Sequence, residues 1–280
     1  MLNGKELFHY IWNNLEDDFE ENEKKAICRS ILFDLAKFKM PWNLEKGITP
    51  GLIQKIDSAI LRINNGEPTQ YVCGLAPFRN YLFYVNNKVL IPRPETEELV
   101  SLVLEHLNFL PAGKGLDIGT GSGAIAIAIA LESSREIDAT DISEDALIVA
   151  RENIEKFRVK VNPIQIDILE NPIKESYSFI VSNPPYICEA EKEEISSSVI
   201  HFEPHIALFV PDKYPLLFYE KITEKAFKAL LPNGALFFEC HYKYADQVAD
   251  LMVGLSFSKV QIRNDLNGKQ RMVFGFKSQK

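Results

Sequence analysis

Positive charge is what this 280-residue sequence has too little of: 31 lysines and arginines face 39 aspartates and glutamates, a net charge of -8. A protein that grips the phosphate backbone of nucleic acid carries a basic excess or a basic stripe. Neither is present, so a nucleic-acid partner is not expected. Cysteine is scarce too. Cys28, Cys73, Cys188 and Cys240 lie far apart with no paired spacing, which argues against a disulfide framework and a zinc site and suits a reducing cytosol. Long apolar runs are missing: Ala124 to Leu131 falls far short of the roughly 20 residues a membrane span requires. The opening MLNGKELFHY has no basic region followed by an apolar stretch, so no signal peptide is expected and the cytoplasm is the expected location. No internal repeat or low-complexity segment interrupts the chain.

The remaining pattern falls into three stretches. Residues 1–72 carry apolar positions at helical spacing: Leu7, Ile11 and Leu15; Ile27, Ile31, Leu32 and Leu35; Leu52, Ile56, Ile60 and Ile63. Breaks fall near Pro41 and at Thr49-Pro50-Gly51, where Thr49 can cap the next helix with Pro50 at its first position. A small helical bundle is expected. Residues 73–94 read as a stiff connector. Asn86-Asn87, between β-prone residues, is expected to turn a hairpin, and Pro92 and Pro94 hold the chain extended until a helix begins at Glu95. From residue 95 to 280 strand and helix alternate, which implies a mainly parallel sheet covered on both faces. The turn Leu266-Asn267-Gly268 closes a last, antiparallel hairpin.

Three constellations carry chemistry. LDIGTGSGAIAIAIA runs from a strand through Gly119, Gly121 and Gly123 into a helix; glycines there permit a sharp turn and close approach of a ligand. The pattern alone is weak, because nicotinamide and flavin enzymes use a similar loop. Asp141 ends the next strand, about twenty residues on, where a doubly wound sheet brings a carboxylate beside the ribose of a nucleoside. Acidic residues at strand ends also cap helices, and Ser143 marks a cap here. Asp167 and Ile168, ending the third strand, would border the adenine, with the Asp167 carboxylate or the Ile168 backbone reading the ring edge.

The third constellation is Asn183-Pro184-Pro185-Tyr186, after the apolar strand YSFIVS and before a stretch expected to be helical. Two prolines in a row make a rigid loop. A conjugated NH2 is a poor nucleophile because its lone pair is delocalised. The Asn183 side-chain oxygen and the Pro184 carbonyl can each accept one of its N–H bonds. That would hold the nitrogen about 3 Å from an electrophilic methyl and stabilise the positive charge that forms. Tyr186 supplies a flat face for the group that bears the nitrogen.

On these motifs the sequence resembles the peptide chain release factor glutamine methyltransferases, the HemK/PrmC family. The resemblance runs through GEPTQYVCG, VLIPRPETEELV, DIGTGSGAIAIA, ATDIS, SNPPYI, FEPHIAL, LLPNGALFFE and DLNGKQRMVFG. It implies a Rossmann-like, seven-stranded class I methyltransferase sheet with a small N-terminal helical bundle. It also implies S-adenosyl-L-methionine as cofactor, and class 1 release factors as protein substrates, methylated on the side-chain amide nitrogen (N5) of the glutamine in their GGQ motif. By the same resemblance Gly119, Thr120, Gly121, Ser122, Gly123, Asp141, Ile168 and Asn183 contact the cofactor, and Asn183, Pro184, Pro185 and Tyr186 hold the glutamine. Arg93, Glu95 and Thr96 are expected in the same cleft without assigned roles, and the helical domain is expected to grip the release factor. The chain departs from the family at Glu239-Cys240-His241, where Glu-Ile-Gly is usual, and in PDKYPLLFYEKI, which lacks the usual glycines.

His201 and His205 have the spacing of zinc ligands on a helix, but Pro204 lies between them, and no metal is expected. The rival reading is an adenine-N6 nucleic-acid methyltransferase, whose target NH2 the same loop would suit. Such an enzyme must also hold its base out of the stack and bind phosphates.

Overall fold

The protein, as a computed structural model, is described over residues 3–38 and 49–278; the break read at Pro41 lies outside them. Three amphipathic helices open the chain: α1 (Gly4–Asn14), α2 (Glu21–Ser30) and α3 (Pro50–Asn64). Asn3 caps α1 by accepting from Lys5 and Glu6 backbone N–H groups, and Thr49 caps α3 by accepting from Leu52 N–H, with Pro50 in its first turn. Leu7, Ile11, Leu15, Ile27, Ile31, Leu32, Ile56, Ile60 and Ile63 close into one core. Burying each such side chain contributes roughly 1.5–3 kcal/mol, so helical spacing of apolar residues suffices to assemble this bundle. A short α4 (Thr69–Cys73) ends at Gly74 in the left-handed conformation, φ 70°.

The connector folds differently from expectation. β1 (Leu75–Phe78) pairs with β2 (Tyr81–Tyr84), Phe78 opposite Tyr81, so the hairpin turns at Arg79-Asn80 and not at Asn86-Asn87. Arg79 takes φ 53°, a conformation unfavourable for a side-chain-bearing residue. Distant partners hold it there: its guanidinium donates to both Glu132 carboxylate oxygens, to the Glu97 carbonyl and to the Ser101 hydroxyl. Asn86 makes a local turn instead, its side chain accepting from Lys88 N–H at 2.9 Å.

The helix that follows, α5 (Pro94–His106), starts one residue before Glu95 because proline's fixed φ suits a first helical position. The alternation is then β3 (Gly115–Ile118), α6 (Ala124–Ser133), β4 (Ile137–Asp141), α7 (Glu144–Phe157), β5 (Val161–Gln165) and β6 (Tyr177–Ser182). After the Asn-Pro-Pro-Tyr loop the chain enters not a helix but β7 (Ile187–Cys188), which pairs in parallel with β8 (Phe209–Val210). Between these lie a tight turn over Glu189–Glu194 and α8 (Ser197–Phe202). The chain finishes with α9 (Leu217–Ala229), β9 (Leu230–Glu239), α10 (Ala245–Gly254), β10 (Phe257–Asn264) and β11 (Gln270–Lys277).

Seven strands form one sheet in the order β10-β11-β9-β6-β3-β4-β5. β11 runs antiparallel to both its neighbours, and the other pairings are parallel. Alternate residues serve opposite faces. Phe179, Val181 and Phe237 pack with α5 and α6, whereas Ile180, Leu236 and Phe238 pack with α9 and α10. From β3 the chain winds outward through β4 and β5, then returns to β6 on the other side. This reversal opens a crevice at the carboxyl ends of β3, β4 and β6, where open α/β sheets bind ligands.

Candidate active site

A cleft of about 250 Å³ occupies that crevice. Its floor is the glycine loop. Gly119, Gly121 and Gly123 have φ of 75°, 54° and 82°, conformations that only glycine adopts without strain. A Cβ on Gly119 or Gly121 would meet nothing within 4 Å, so both backbones face open space that a ligand can enter. The turn is tied to β4 by the Gly119 and Thr120 N–H groups, which both donate to the Thr140 carbonyl. Beneath it Asp117 is fully buried; its Oδ2 accepts from the Thr120 hydroxyl at 2.6 Å, and burial pushes the carboxyl up to about 7.

Asp141 lines the cleft beside this loop. Its Oδ2 accepts from Gly121 N–H and its Oδ1 from Ser143 N–H, both at 2.9 Å. These bonds fix the carboxylate and leave each oxygen a further lone pair for a ligand hydroxyl. Burial raises the carboxyl's pKa, and the backbone N–H groups of Ser143, Gly121 and Ile142 oppose that rise. The ribose and capping roles weighed for this residue are thus compatible: one carboxylate orders the loop and the start of α7 while remaining available in the cleft.

Asp167 and Ile168 line the cleft, but Asp167 Oδ1 accepts from Leu169 N–H at 2.8 Å, and the Ile168 carbonyl accepts from Lys225 Nζ. Lys225, on α9, also donates to the carbonyls of Leu169 and Asn171. It gathers the loop's carbonyls onto one ammonium, and among the described residues no protein donor engages the second Asp167 oxygen and no acceptor takes the Ile168 N–H. No motif marked Lys225, because its partners lie more than fifty residues away.

Asn183, Pro184 and Pro185 line the opposite wall. Asn183 Nδ2 donates to Thr96 Oγ1 at 3.1 Å, and the Thr96 hydroxyl donates to Glu239 Oε2 at 2.7 Å. Among the described residues no protein donor engages Asn183 Oδ1 or the Pro184 carbonyl. Burial pushes the Glu239 carboxyl up to about 7, against the Thr96 hydroxyl and the Arg271 guanidinium. Tyr186 is not among the residues that line the cleft; it packs against the core on the α9 and α10 side of the sheet, its ring edge-on to His241 with centroids 5.9 Å apart, and burial raises its hydroxyl pKa.

The remaining expected site residues sit differently. Thr120 and Ser122 are buried behind the glycine loop, Ser122 with its carbonyl bound by Asn153 Nδ2. Gly123 is packed closely, an added Cβ lying 3.0 Å from Ile127 Cδ1. From the connector it is Lys88, Val89 and Leu90 that line the cleft. Arg93 instead pairs with the buried Glu203 at 2.6 Å, and both line a second cavity that also touches Phe19, Ile27 and Ile63 of the helical bundle.

Comparison with known proteins accords with this geometry. The profile of the methyltransferase small domain matches residues 97–203. The release factor glutamine methyltransferase of Bacteroides thetaiotaomicron is 37% identical over 94% of this chain and 96% of its own length. That of Streptococcus pneumoniae is 41% identical over the same shares. Among solved structures, a methyltransferase from Pyrococcus furiosus superposes with a TM-score of 0.52 at 22% identity, over 70% of this chain and 89% of that one; at that identity it speaks for the fold alone.

Proposed function

The chain belongs to the release factor glutamine methyltransferases, and from that premise we propose that it methylates the side-chain amide nitrogen (N5) of the glutamine in the GGQ motif of class 1 release factors. It is an S-adenosylmethionine-dependent protein-glutamine methyltransferase. The observation that carries the finer reading is that Asn183 and Pro184, with unengaged acceptors, share one cleft with Gly119, Gly121 and Asp141.

The residues present fit the cofactor. Two left-handed glycines back onto open space, and a fixed carboxylate, Asp141, stands where ribose hydroxyls can donate to it. When bound, S-adenosylmethionine supplies an electrophilic methyl on a sulfonium. Everything else falls to this chain. Asn183 Oδ1 and the Pro184 carbonyl each accept one N–H of the glutamine carboxamide, which orients its nitrogen and stabilises the positive charge that develops there. The prolines keep the Pro184 carbonyl in place without reorganisation. No strong base is required before transfer, because the methylated, cationic amide gives up its proton readily to water.

The helical bundle, residues 1–72, is the natural second grip on the release factor, since the cavity at its junction with the connector opens beside Arg93. Among the described residues no helix is long and apolar enough to cross a membrane; a translation-factor substrate is the ground on which a cytoplasmic location is proposed. The test is incubation with labelled S-adenosylmethionine and either release factor or DNA. Label is expected on a release-factor glutamine. Label confined to DNA would transfer the clamp to an adenine amino group and overturn the proposal.

A further inference from the structure

Behind the clamp meet three residues remote from one another in sequence: Thr96 in the first turn of α5, Asn183 after β6 and Glu239 at the end of β9. Their hydrogen bonds run in one direction. In its ionised form the Glu239 carboxylate can only accept, so its Oε2 takes the single hydroxyl hydrogen of Thr96. The hydroxyl then turns lone pairs toward Asn183, and only the NH2 end of an amide can donate into them. The oxygen end is thereby sent the other way. We infer that Thr96 and Glu239 are a positioning pair that sets the Asn183 amide with its oxygen, and not its nitrogen, toward the incoming substrate amide. This rests on the clamp proposed above and adds what holds it in the accepting orientation.

The surroundings support the direction of the bonds. Glu239 is 1% exposed, so solvent does not compete for its acceptors. The Arg271 guanidinium favours the ionised carboxylate while Glu95 opposes it. Arg271 is itself held by Asp265, Nε to Oδ2 at 3.3 Å, and Asp265 Oδ1 accepts from the backbone N–H groups of Asn267 and Lys269 in the closing hairpin. The turn between β10 and β11 thus anchors a cation near the carboxylate that orients the clamp. An amide rotated by half a turn has nearly the same shape and reverses the chemistry: its NH2 would oppose the substrate's own NH2, donor against donor. The same arrangement favours a carboxamide over a carboxylate, which has no hydrogen to give to Oδ1.

Steady-state kinetics at saturating S-adenosylmethionine and at a pH well above the value of about 7 to which the Glu239 carboxyl is raised, with release factor varied, test the pair in Thr96→Val, Thr96→Ser, Glu239→Gln and, as reference, Asn183→Ala; binding of S-adenosylhomocysteine is measured on each. Thr96→Val keeps the shape and removes the hydroxyl, and should lower kcat by about 10- to 100-fold while S-adenosylhomocysteine binds within about twofold of wild type. Thr96→Ser restores the hydroxyl and should recover most of kcat. Glu239→Gln can donate to Thr96 and so free its hydroxyl hydrogen for Asn183; kcat should fall by about tenfold, an independent reading if Thr96→Val fails to fold. Wild-type kcat in Thr96→Val or in Glu239→Gln, or a Thr96→Ser variant as impaired as Thr96→Val, overturns the pair. If those variants are silent while Asn183→Ala is inactive, the clamp stands and the pair falls; if Asn183→Ala also turns over normally, the clamp itself falls.

Discussion

The two walls of the cleft are made of different material. The wall proposed for the cofactor is backbone: three glycines in left-handed conformations, the N–H groups of Gly119 and Thr120 tied to Thr140, and one carboxylate, Asp141, clasped by its neighbours' amides. The wall proposed for the substrate is a chain of side chains, Asn183 to Thr96 to Glu239, with Arg271 and Asp265 behind. The first wall is local in sequence; the second joins strands and helices that are neighbours only after folding. Damage should therefore read out differently, in affinity on one wall and in turnover on the other.

The sharpest break would come at Asn183. Replacing it with alanine removes one of the two acceptors proposed to stabilise charge in the transition state, and kcat should fall by about 10²- to 10³-fold. S-adenosylhomocysteine affinity should stay within about threefold, because Gly119, Gly121 and Asp141 are untouched. Turnover within tenfold of wild type would show that the two walls are not functionally distinct. On the other wall Asp141→Ala deletes hydrogen bonds to a charged acceptor, worth about 1.5–3 kcal/mol each. S-adenosylhomocysteine binding should weaken about 100-fold, while kcat at saturating cofactor changes far less. A variant with intact affinity and lost turnover would reverse the assignment.

The same contrast explains what the sequence makes legible. The strand–glycine–helix run, the Asp141 strand end, the Ser143 cap and the Asn-Pro-Pro-Tyr loop depend on neighbours within a few residues, and each lies where its local pattern puts it. The bundle's core positions follow helical spacing and come together as that spacing requires. Features decided by distant partners were not legible. The connector hairpin turns at Arg79 because Glu132, Glu97 and Ser101 hold that side chain, although Asn86-Asn87 is the better local turn. The stretch after Tyr186 becomes a strand because Phe209 and Val210 offer a partner edge. Thr96 carried no assigned role, Glu239 stood out only for the unusual residues after it, and Lys225 gave no local signal at all.

Each wall also buries a carboxyl that pH can interrogate. Asp117 beneath the glycine loop and Glu239 behind the clamp are both pushed up to about 7 by burial, against roughly 4 in an unfolded chain. Between those values the unfolded state has released protons that the native state retains, so stability falls as pH rises through that window. Below about 4 both states are protonated and the effect vanishes. Denaturant midpoints measured from pH 4 to 8 should therefore decline for the wild type. The decline should be shallower in Asp117→Asn and in Glu239→Gln. An unchanged slope in both variants would assign the decline to other groups.

The smallest effect tests how far the cofactor wall depends on its own local bonds. Ser143 caps α7 by accepting from Ala146 N–H at 3.2 Å, and its backbone N–H donates to Asp141 Oδ1. Ser143→Ala loses the first bond and keeps the second. Stability should drop by about 1 kcal/mol, as for other lost N-caps, with S-adenosylhomocysteine affinity within about twofold because the backbone bond still aims Asp141. A larger loss of affinity would mean that the hydroxyl cap, and not the backbone bond, holds the carboxylate in place. The cofactor wall would then depend on side-chain positioning as the substrate wall does, and the contrast between them would narrow to a difference in sequence distance.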